Sequence, residues 1–296
     1  MNTRYPIYIP SKGRWDNQLT SKALDRGNIP HNIIVEEQEY DLYRQHKTDA
    51  ATLIVLDTQF RKIHETLDDL GDTDSYGAGP ARNMAWELSI KDGAARHWDI
   101  DDNIDTFYRL NRNRKVPCND AALFVAMEDF ADRYENVGIA GPNYSMFVYR
   151  RKPEPPFIPN TRIYSCSLIM NSLPFRWRLR MNEDTDLSLR VLKAGFVTIQ
   201  FNAFLQGKMA TQSQAGGYTK EFYSKEGTLR KSKMLVDEHP DVAEIAWRFG
   251  RWHHYVDYGP FKNNKLIRRA DFKLPEDPSF GLKEQIFVDG KWTTVK

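Results

Sequence analysis

The stretch HWDIDDNI, His97–Ile104, places three aspartates within four positions, beside a tryptophan and two isoleucines. Like charges at this spacing repel one another, and burying them without partners costs free energy. The apolar character of ARHWDI (95–100) is typical of a buried strand. The stretch therefore predicts a strand that ends in a carboxylate cluster, which is either a solvated turn or the site of a positively charged ligand.

Short apolar runs alternate with helical patterns before this stretch. YPIYIP (5–10), NIIVE (32–36) and TLIVL (52–56) are rich in apolar and β-branched residues and predict buried strands. The segments with helical patterns are 15–27, 37–46 and 79–93. Strands that alternate with helices in this way predict an α/β fold with a mainly parallel central sheet.

The second half of the sequence is less regular. Helices are predicted at 119–134, which is amphipathic, and at 182–195, where Asn182 is the expected N-cap and Gly195 the stop. Further strands, some of them antiparallel, are predicted at 137–141, 146–150, 162–170 and 196–201.

The C-terminal part is expected to be an extension of the same domain. Residues 220–255 are predicted to be helical, and IFVDGKWTTV (286–295) predicts a hairpin with an Asp-Gly turn. We therefore expect a catalytic domain over residues 1–215 and a helical and hairpin extension over 216–296.

Composition and charge narrow the functional classes. The two cysteines give neither a disulfide framework nor a CxxC metal motif, and no long apolar segment marks a signal peptide or a membrane span, so a cytoplasmic location is the default expectation. The formal net charge is +2, but its distribution is uneven. Residues 1–140 carry 17 Lys and Arg against 24 Asp and Glu, whereas residues 141–180 carry 7 against 1.

The aspartate cluster allows three interpretations. A solvated turn is one, because Asp and Asn favour turns. A calcium loop is excluded, because its sixth position would be Ile104 instead of Gly and its twelfth would be Leu110 instead of Glu. The third is a Mg²⁺ or Mn²⁺ site, which typically takes one or two carboxylates and completes its shell with substrate phosphates.

Several polar segments should converge with the aspartates, since ligands of open α/β sheets bind beyond the carboxyl ends of the strands. SKGR (11–14) follows the first predicted strand, Glu36 ends the second, and GPARN (79–83) begins a helix whose free N–H groups attract phosphate. The candidate residues for binding a nucleotide-sugar are Pro10, Ser11, Lys12, Arg14, Glu36, Arg82, Asn83, Asp101 and Asp102.

The combination and order of these segments resemble a known family. IYIPSKGR, GPARNMAW, HWDIDDNI, MNEDTDLSLRVLKAG and AGGY together are similar to the phage TET-associated glycosyltransferases, over about Pro6 to Arg269. The resemblance implies a GT-A-like fold, in which a D-x-D motif follows the fourth strand. It also implies transfer of a sugar from a nucleotide-sugar, with a UDP-sugar expected, to a hydroxymethylated pyrimidine such as 5-hydroxymethylcytosine in phage DNA, inside an infected bacterial host.

The resemblance also implies roles for matched residues. Mn²⁺ or Mg²⁺ is expected on Asp99 with Asp101, or on Asp101 with Asn103. Glu183 and Asp184 match the E-D motif, whose acid is the candidate catalytic base. Acids in the first turn of a helix are also favoured by the helix dipole alone. Many GT-A enzymes add a late histidine to the metal, but 204–212 contains none, and the two adjacent histidines at 253–254 fall in a region predicted to be helical.

The basic segment 141–180 is the predicted DNA-binding region. Aromatic residues alternate there with Arg150, Arg151, Arg176, Arg178 and Arg180. Basic side chains bind the phosphate backbone, and aromatic faces stack on an extruded base. The alternative is that RWRLR and YRRK form strands with solvated outer faces.

Three further functions were considered. A glycosyltransferase acting on a polysaccharide or protein would use the same donor site but would not need the basic segment. A nucleotidyltransferase would share the nucleotide-binding half, but no G-x-G-x-x-x-R loop follows the first strand. A non-catalytic DNA-binding module would not need acids clustered at a sheet edge.

Overall fold

The computed structural model describes most of the chain and contains one large mixed sheet. The described residues are 2–69, 76–149, 154–208, 223–248, 250–273, 275–277, 279–280, 282, 285–288 and 291–294. The sheet has ten strands: β1 Ile7–Pro10, β2 His31–Val35, β3 Ala51–Val55, β4 Arg96–Ile100, β5 Ile104–Asn111, β6 Arg114–Pro117, β7 Val137–Tyr144, β8 Phe157–Pro159, β9 Cys166–Met170 and β10 Val197–Lys208.

Seven α-helices are found in the described residues. They are α1 Leu19–Asp25, α2 Tyr40–His46, α3 Gln59–Lys62, α4 Gly79–Lys91, α5 Ala121–Asp132, α6 Glu183–Lys193 and α7 Tyr223–Glu238. In this part of the chain, no helix has both the length and the apolar character needed to cross a membrane.

The four strands predicted in the first hundred residues share one sheet. Their order is β3-β2-β1-β4, and every neighbouring pair is parallel. The order continues β9-β7-β10-β5-β6, where β9 runs antiparallel to both β4 and β7. The α/β prediction is confirmed, and the sheet is mixed, with its parallel part at the β3 side. Since β1, β2 and β4 are parallel, their carboxyl ends meet at one edge.

The alternation of side chains along β4 divides its residues between the two faces of the sheet. Trp98 packs edge-on against Phe124 of α5, with ring centroids 5.1 Å apart, and its indole N–H donates to the buried Glu128 at 2.8 Å. His97 faces the other side, where it contacts Trp86 of α4. Asp99, two residues after His97, therefore points toward α4 as well. All residues of β4 are buried, so this carboxylate is buried too.

Two predictions for the second half are wrong. The segment 146–150 is not a strand in its described part, since a 3₁₀ turn, Ser145–Phe147, occupies its start. The helical prediction for 220–255 holds only as far as α7. Pro240 cannot continue a helix, and an antiparallel pair follows, β11 Ala243–Arg248 and β12 Arg251–Val256.

This pair places both histidines of 253–254 on a strand instead of a helix. The C-terminal hairpin is confirmed as β13 Gln285–Val288 and β14 Lys291–Thr294. Asn182 precedes α6 as predicted, but its side chain does not cap the helix. Its backbone is left-handed, with φ of 62°, and its amide donates to the Lys231 carbonyl of α7 at 2.7 Å.

Gly141 of β7 allows a close approach of the chain near Cys166. A Cβ atom at this position would overlap the backbone oxygen of Cys166. We expect Gly141→Ala to lower the free energy of unfolding by about 1–3 kcal/mol, measured by urea denaturation, because backbone cannot move aside as a flexible side chain can. Gly259→Ala, which meets only the flexible carboxylate of Asp257, is the matched control. Equal effects of the two substitutions would contradict this account.

Candidate active site

A cavity of about 520 Å³ opens at the carboxyl ends of β1, β2 and β4. The starts of α4 and α6 and the end of β10 complete its walls, and residues of α7 and β12 also reach it. The expected site residues that line the cavity are Pro10, Ser11, Lys12, Arg14, Glu36, Arg82, Asp101, Asp102, Asn103, Arg180, Glu183 and Asp184. Those that do not line it are Asn83, Asp99, Arg176 and Arg178. Arg150 and Arg151 lie outside the described residues.

Arg82 connects the acids of three segments. Its guanidinium is buried and donates to Asp101 at 2.7 Å, and it lies 3.6 Å from Glu183 and 3.8 Å from Asp99. It also stacks over Trp177, 4.6 Å from the ring centroid. Burial opposes its charge, but the surrounding carboxylates hold the pKa of Arg82 above its ordinary value. Arg82 therefore keeps the ends of β4 and α6 together by neutralising acids that would otherwise repel.

Asp101 accepts hydrogen bonds from a second cation. The ammonium of Lys208, at the end of β10, donates to the other oxygen of Asp101 at 2.6 Å and to the hydroxyl of Ser165 at 2.5 Å. Burial alone would raise the pKa of Asp101, but Lys208 and Arg82 hold it well below its usual range. Asp101 is therefore a fully ionised carboxylate whose two oxygens both contact cations.

Two expected site residues lie below the cavity floor. Among the described residues, none donates a hydrogen bond to either carboxylate oxygen of Asp99, and burial raises the pKa of this residue to about 7. The side-chain nitrogen of Asn83 donates to the carbonyl oxygen of Trp177, and its side-chain oxygen accepts from the backbone N–H of Trp177, both at 2.8 Å. The structure therefore places Asn83 as a support for the segment under Arg82, away from any ligand in the cavity.

The wall at the ends of β1 and β2 contains two paired groups. Asp102 accepts from Arg14 and, at 2.7 Å, from Ser11. Glu36 pairs with Lys12 at 3.2 Å and also with Arg61. The loop after β1 is therefore fixed to the ends of both neighbouring strands.

Glu183 and Asp184 form the acidic first turn of α6. Burial raises the pKa of each, and a neighbouring carboxylate raises it further, Asp184 for Glu183 and Asp101 for Asp184, whereas Arg82 lowers both. Thr185 donates its backbone N–H to Asp184 at 2.7 Å. Two carboxyl groups with raised pKa values thus line the same cavity, and carboxyl groups of this kind are candidates for proton transfer.

An aromatic wall lies beside Lys208. Tyr144 stacks on Tyr164, with centroids 5.7 Å apart and planes 13° apart, and Arg162 lies over Tyr164 at 4.7 Å. Phe147 lines the same wall and is 49% exposed. The cavity is therefore bordered on this side by aromatic rings that pack against one another.

The arginines predicted to bind DNA at 176–180 form ion pairs with carboxylates of the protein itself. Arg176 pairs with Glu87 at 2.8 Å. Arg178 pairs with the buried Asp186 at 2.8 Å. Arg180 is buried, lines the cavity and pairs with Asp68 at 2.7 Å. This part of the DNA-binding prediction is not supported, because charges neutralised by internal carboxylates attract phosphate weakly.

Arg162, which belongs to the basic segment 141–180, lines the cavity, and sequence reasoning missed four further basic residues there: Arg61, Lys208, Lys231 and Arg251. Arg61 lies in the short helix after β3, so the rule about strand ends could have found it. The others belong to segments without a motif. With them, nine Lys and Arg but only five Asp and Glu line the cavity, which fits an anionic ligand.

The oxygens of Asp101 and Asn103 fit a hard cation such as Mg²⁺ or Mn²⁺. Both side chains line the cavity, and the buried Oδ1 of Asn103 has no hydrogen-bond partner in the part of the chain that the structure describes. No group of three or more His, Cys, Asp or Glu is arranged to hold a metal within the described residues. A metal bound here would therefore complete its shell with oxygens of the ligand.

The comparison with protein families gives one match. The family model of the TET-Associated Glycosyltransferases matches residues 5–217. These residues include every wall of the cavity except the contributions of α7 and β12. A comparison with curated proteins gives no match.

Removing the charge of Arg82 should destabilise the protein. Arg82→Gln leaves buried carboxylates without their shared cation, so we expect the free energy of unfolding to fall by about 3–5 kcal/mol in urea denaturation. The loss should shrink from about pH 8 to about pH 5, because the native carboxyl groups, whose pKa values rise in the variant, then take up protons.

Arg61→Gln is the matched control. Its pair with Glu36 is partly exposed, so we expect a loss of about 0–1 kcal/mol. A similar loss in both variants would show that Arg82 does not hold the acids together.

Proposed function

The chain belongs to the TET-associated glycosyltransferase family and is a glycosyltransferase, and on this premise we propose that it transfers a sugar from a UDP-sugar to a hydroxymethylated pyrimidine in phage DNA. Since the acceptor is phage DNA, the proposed place of action is the cytoplasm of an infected bacterial host. The observation that carries the proposal is a cavity with a cationic excess that also contains the two acids of α6, Glu183 and Asp184.

The donor is proposed to bind between the loop after β1 and the start of α4. The first residues of α4 line the cavity, and the N–H groups of a first helical turn attract phosphate. Arg82 and Lys208 add positive charge beside them. The nucleoside is proposed to lie along Ser11–Arg14 and Glu36, where the side chains are fixed by their own pairs.

Mn²⁺ or Mg²⁺ is proposed to bind Asp101 and Asn103, since Asp99 does not line the cavity. When bound, such a metal neutralises the departing diphosphate. Lys208 donates to the same carboxylate, so the metal and Lys208 compete for Asp101.

Glu183 and Asp184 are proposed to face the acceptor hydroxyl. In the reaction, the hydroxymethyl oxygen forms a bond to the anomeric carbon, and the bond from that carbon to the diphosphate breaks. The hydroxyl proton passes to a carboxylate of this pair. Burial, which raises the pKa of both acids, makes them better proton acceptors than exposed carboxylates.

One assay tests the proposed function directly. Purified protein is incubated with Mn²⁺ and a panel of UDP-sugars on duplex DNA with and without 5-hydroxymethylcytosine, and the nucleosides are analysed by mass spectrometry. A hexose or pentose adduct is expected only on the hydroxymethylated DNA. Transfer to a polysaccharide or protein with none to DNA would overturn the proposed acceptor.

Asp101→Asn should uncouple donor binding from the metal. We expect Mn²⁺ to raise the UDP affinity of the unmodified protein but not that of the variant, measured by calorimetry, because the substitution removes the only negative charge among the two proposed protein ligands. Glu87→Gln, whose partner Arg176 lies away from the cavity, is the control. If Mn²⁺ has no effect on the unmodified protein and Lys208→Gln weakens UDP binding, the metal proposal fails and Lys208 supplies the charge.

Glu183→Gln and Asp184→Asn separate catalysis from helix stability. The variant that lacks the base should lose about 10²–10⁴-fold in kcat while UDP affinity is kept. A role at the helix dipole alone predicts a lower melting temperature with unchanged kcat. Steady-state kinetics and thermal unfolding of both variants decide, and full activity in both would exclude the catalytic role.

A further inference from the structure

The antiparallel pair β11–β12 is here called the ribbon, and the tip of the ribbon protrudes from the protein. Its base is anchored, because Val242 and Val256 pack in a core cluster with Leu235 of α7. Its tip turns at Gly250, which has a φ of 73°. The ribbon follows the part of the chain that the family model matches.

Large aromatic side chains are exposed on both faces of the ribbon. Trp247 and Trp252 are directly opposite one another, with ring centroids 5.1 Å apart, and are 60% and 39% exposed. On the other face, Tyr255 is 41% exposed, and the guanidinium carbon of Arg248 lies 4.7 Å from the centroid of its ring. Exposed aromatic clusters of this size mark binding surfaces, since their burial would be favourable.

Positive charge is concentrated at the same tip. Arg248 lies directly opposite Arg251, and like charges at facing positions of a β-pair are destabilising. In the described part of the protein, neither guanidinium forms an ion pair with a carboxylate; Arg251 donates to the ring of His253 at 3.1 Å instead. The tip therefore fits an anion that bridges both arginines, and a DNA backbone supplies such anions at regular spacing.

The ribbon is continuous with the proposed active site. Arg251 and His254 line the cavity together with Lys231 of α7. A DNA strand bound along the ribbon would therefore pass the mouth of the cavity, and a base extruded from that strand would enter between the ribbon and the aromatic wall of Tyr144 and Tyr164. By contrast, Arg176 and Arg178 are paired internally and do not line the cavity.

We propose that the ribbon binds the DNA that carries the acceptor base, with its tryptophans stacked on bases and with Arg248 and Arg251 on phosphates. This inference rests on the proposed function, since it assumes a DNA acceptor. Exposed aromatic side chains stack on unpaired bases irrespective of sequence, and such bases are present in single strands and where a base is extruded from a duplex.

The test measures binding of a hydroxymethylated single strand by fluorescence anisotropy at several salt concentrations. The double variant Trp247→Ala/Trp252→Ala should bind about ten- to hundredfold more weakly, from the loss of stacking on bases. Arg248→Gln should reduce the slope of log affinity against log salt by about one. Replacing both tryptophans by Phe should keep most of the affinity, and Arg176→Gln, which removes a cation that is already paired with Glu87 away from the cavity, should change nothing.

The outcomes distinguish the two proposals. Unchanged affinity and salt slope in the ribbon variants, with UDP binding and melting temperature intact, would overturn the ribbon inference even if the unmodified protein glycosylates DNA. If the unmodified protein binds DNA through the ribbon but transfers no sugar to it, the proposed reaction is overturned, whereas the ribbon inference stands. Binding of anionic vesicles and no binding of DNA would overturn the ribbon inference.

Discussion

The buried guanidinium of Arg82 determines how the parts of the site are arranged. It lies in the first turn of α4 and neutralises acids at the end of β4 and at the start of α6. Each of these acids would repel the others without it, and a buried charge must have partners nearby. The helix, the strand end and the second helix are therefore held at fixed distances around one cation, and the floor of the cavity follows from that arrangement.

Pairing with cations also explains why the aspartates of HWDIDDNI can lie so close together. Asp99 is buried against Arg82, Asp101 contacts both Arg82 and Lys208, and Asp102 contacts Arg14 and Ser11. Asp99 and Asp101 share Arg82, and the turn that follows β4 at Ile100 directs Asp102 to a different cation, Arg14. Like charges can therefore lie beside apolar residues, because each carboxylate has a cation of its own or shares one.

The net charge of a segment does not show whether its arginines are already paired, as residues 176–180 illustrate. The segment is strongly basic, which predicted a surface for DNA. In the folded chain, Arg180 is buried with Asp68, which is distant in sequence, and Arg178 contacts Asp186 and Glu238. A net charge counted along the chain does not reveal which carboxylates from other segments will neutralise it. The ribbon presents the charge of Arg248 and Arg251 to solvent, since among the described residues no carboxylate forms an ion pair with either guanidinium.

The sequence by itself determined the parallel strands of the first hundred residues, the helices between them and the edge at which Ser11, Glu36 and Asp101 meet. These features depend on local periodicity and on the rule that parallel strands end on the same side. Only the tertiary structure decided that Asn83 supports Trp177, that Lys208 contacts Asp101, and that β11 and β12 form a ribbon beside the cavity. Such contacts join residues far apart in the chain, and their existence depends on the packing of whole elements, which no local pattern encodes.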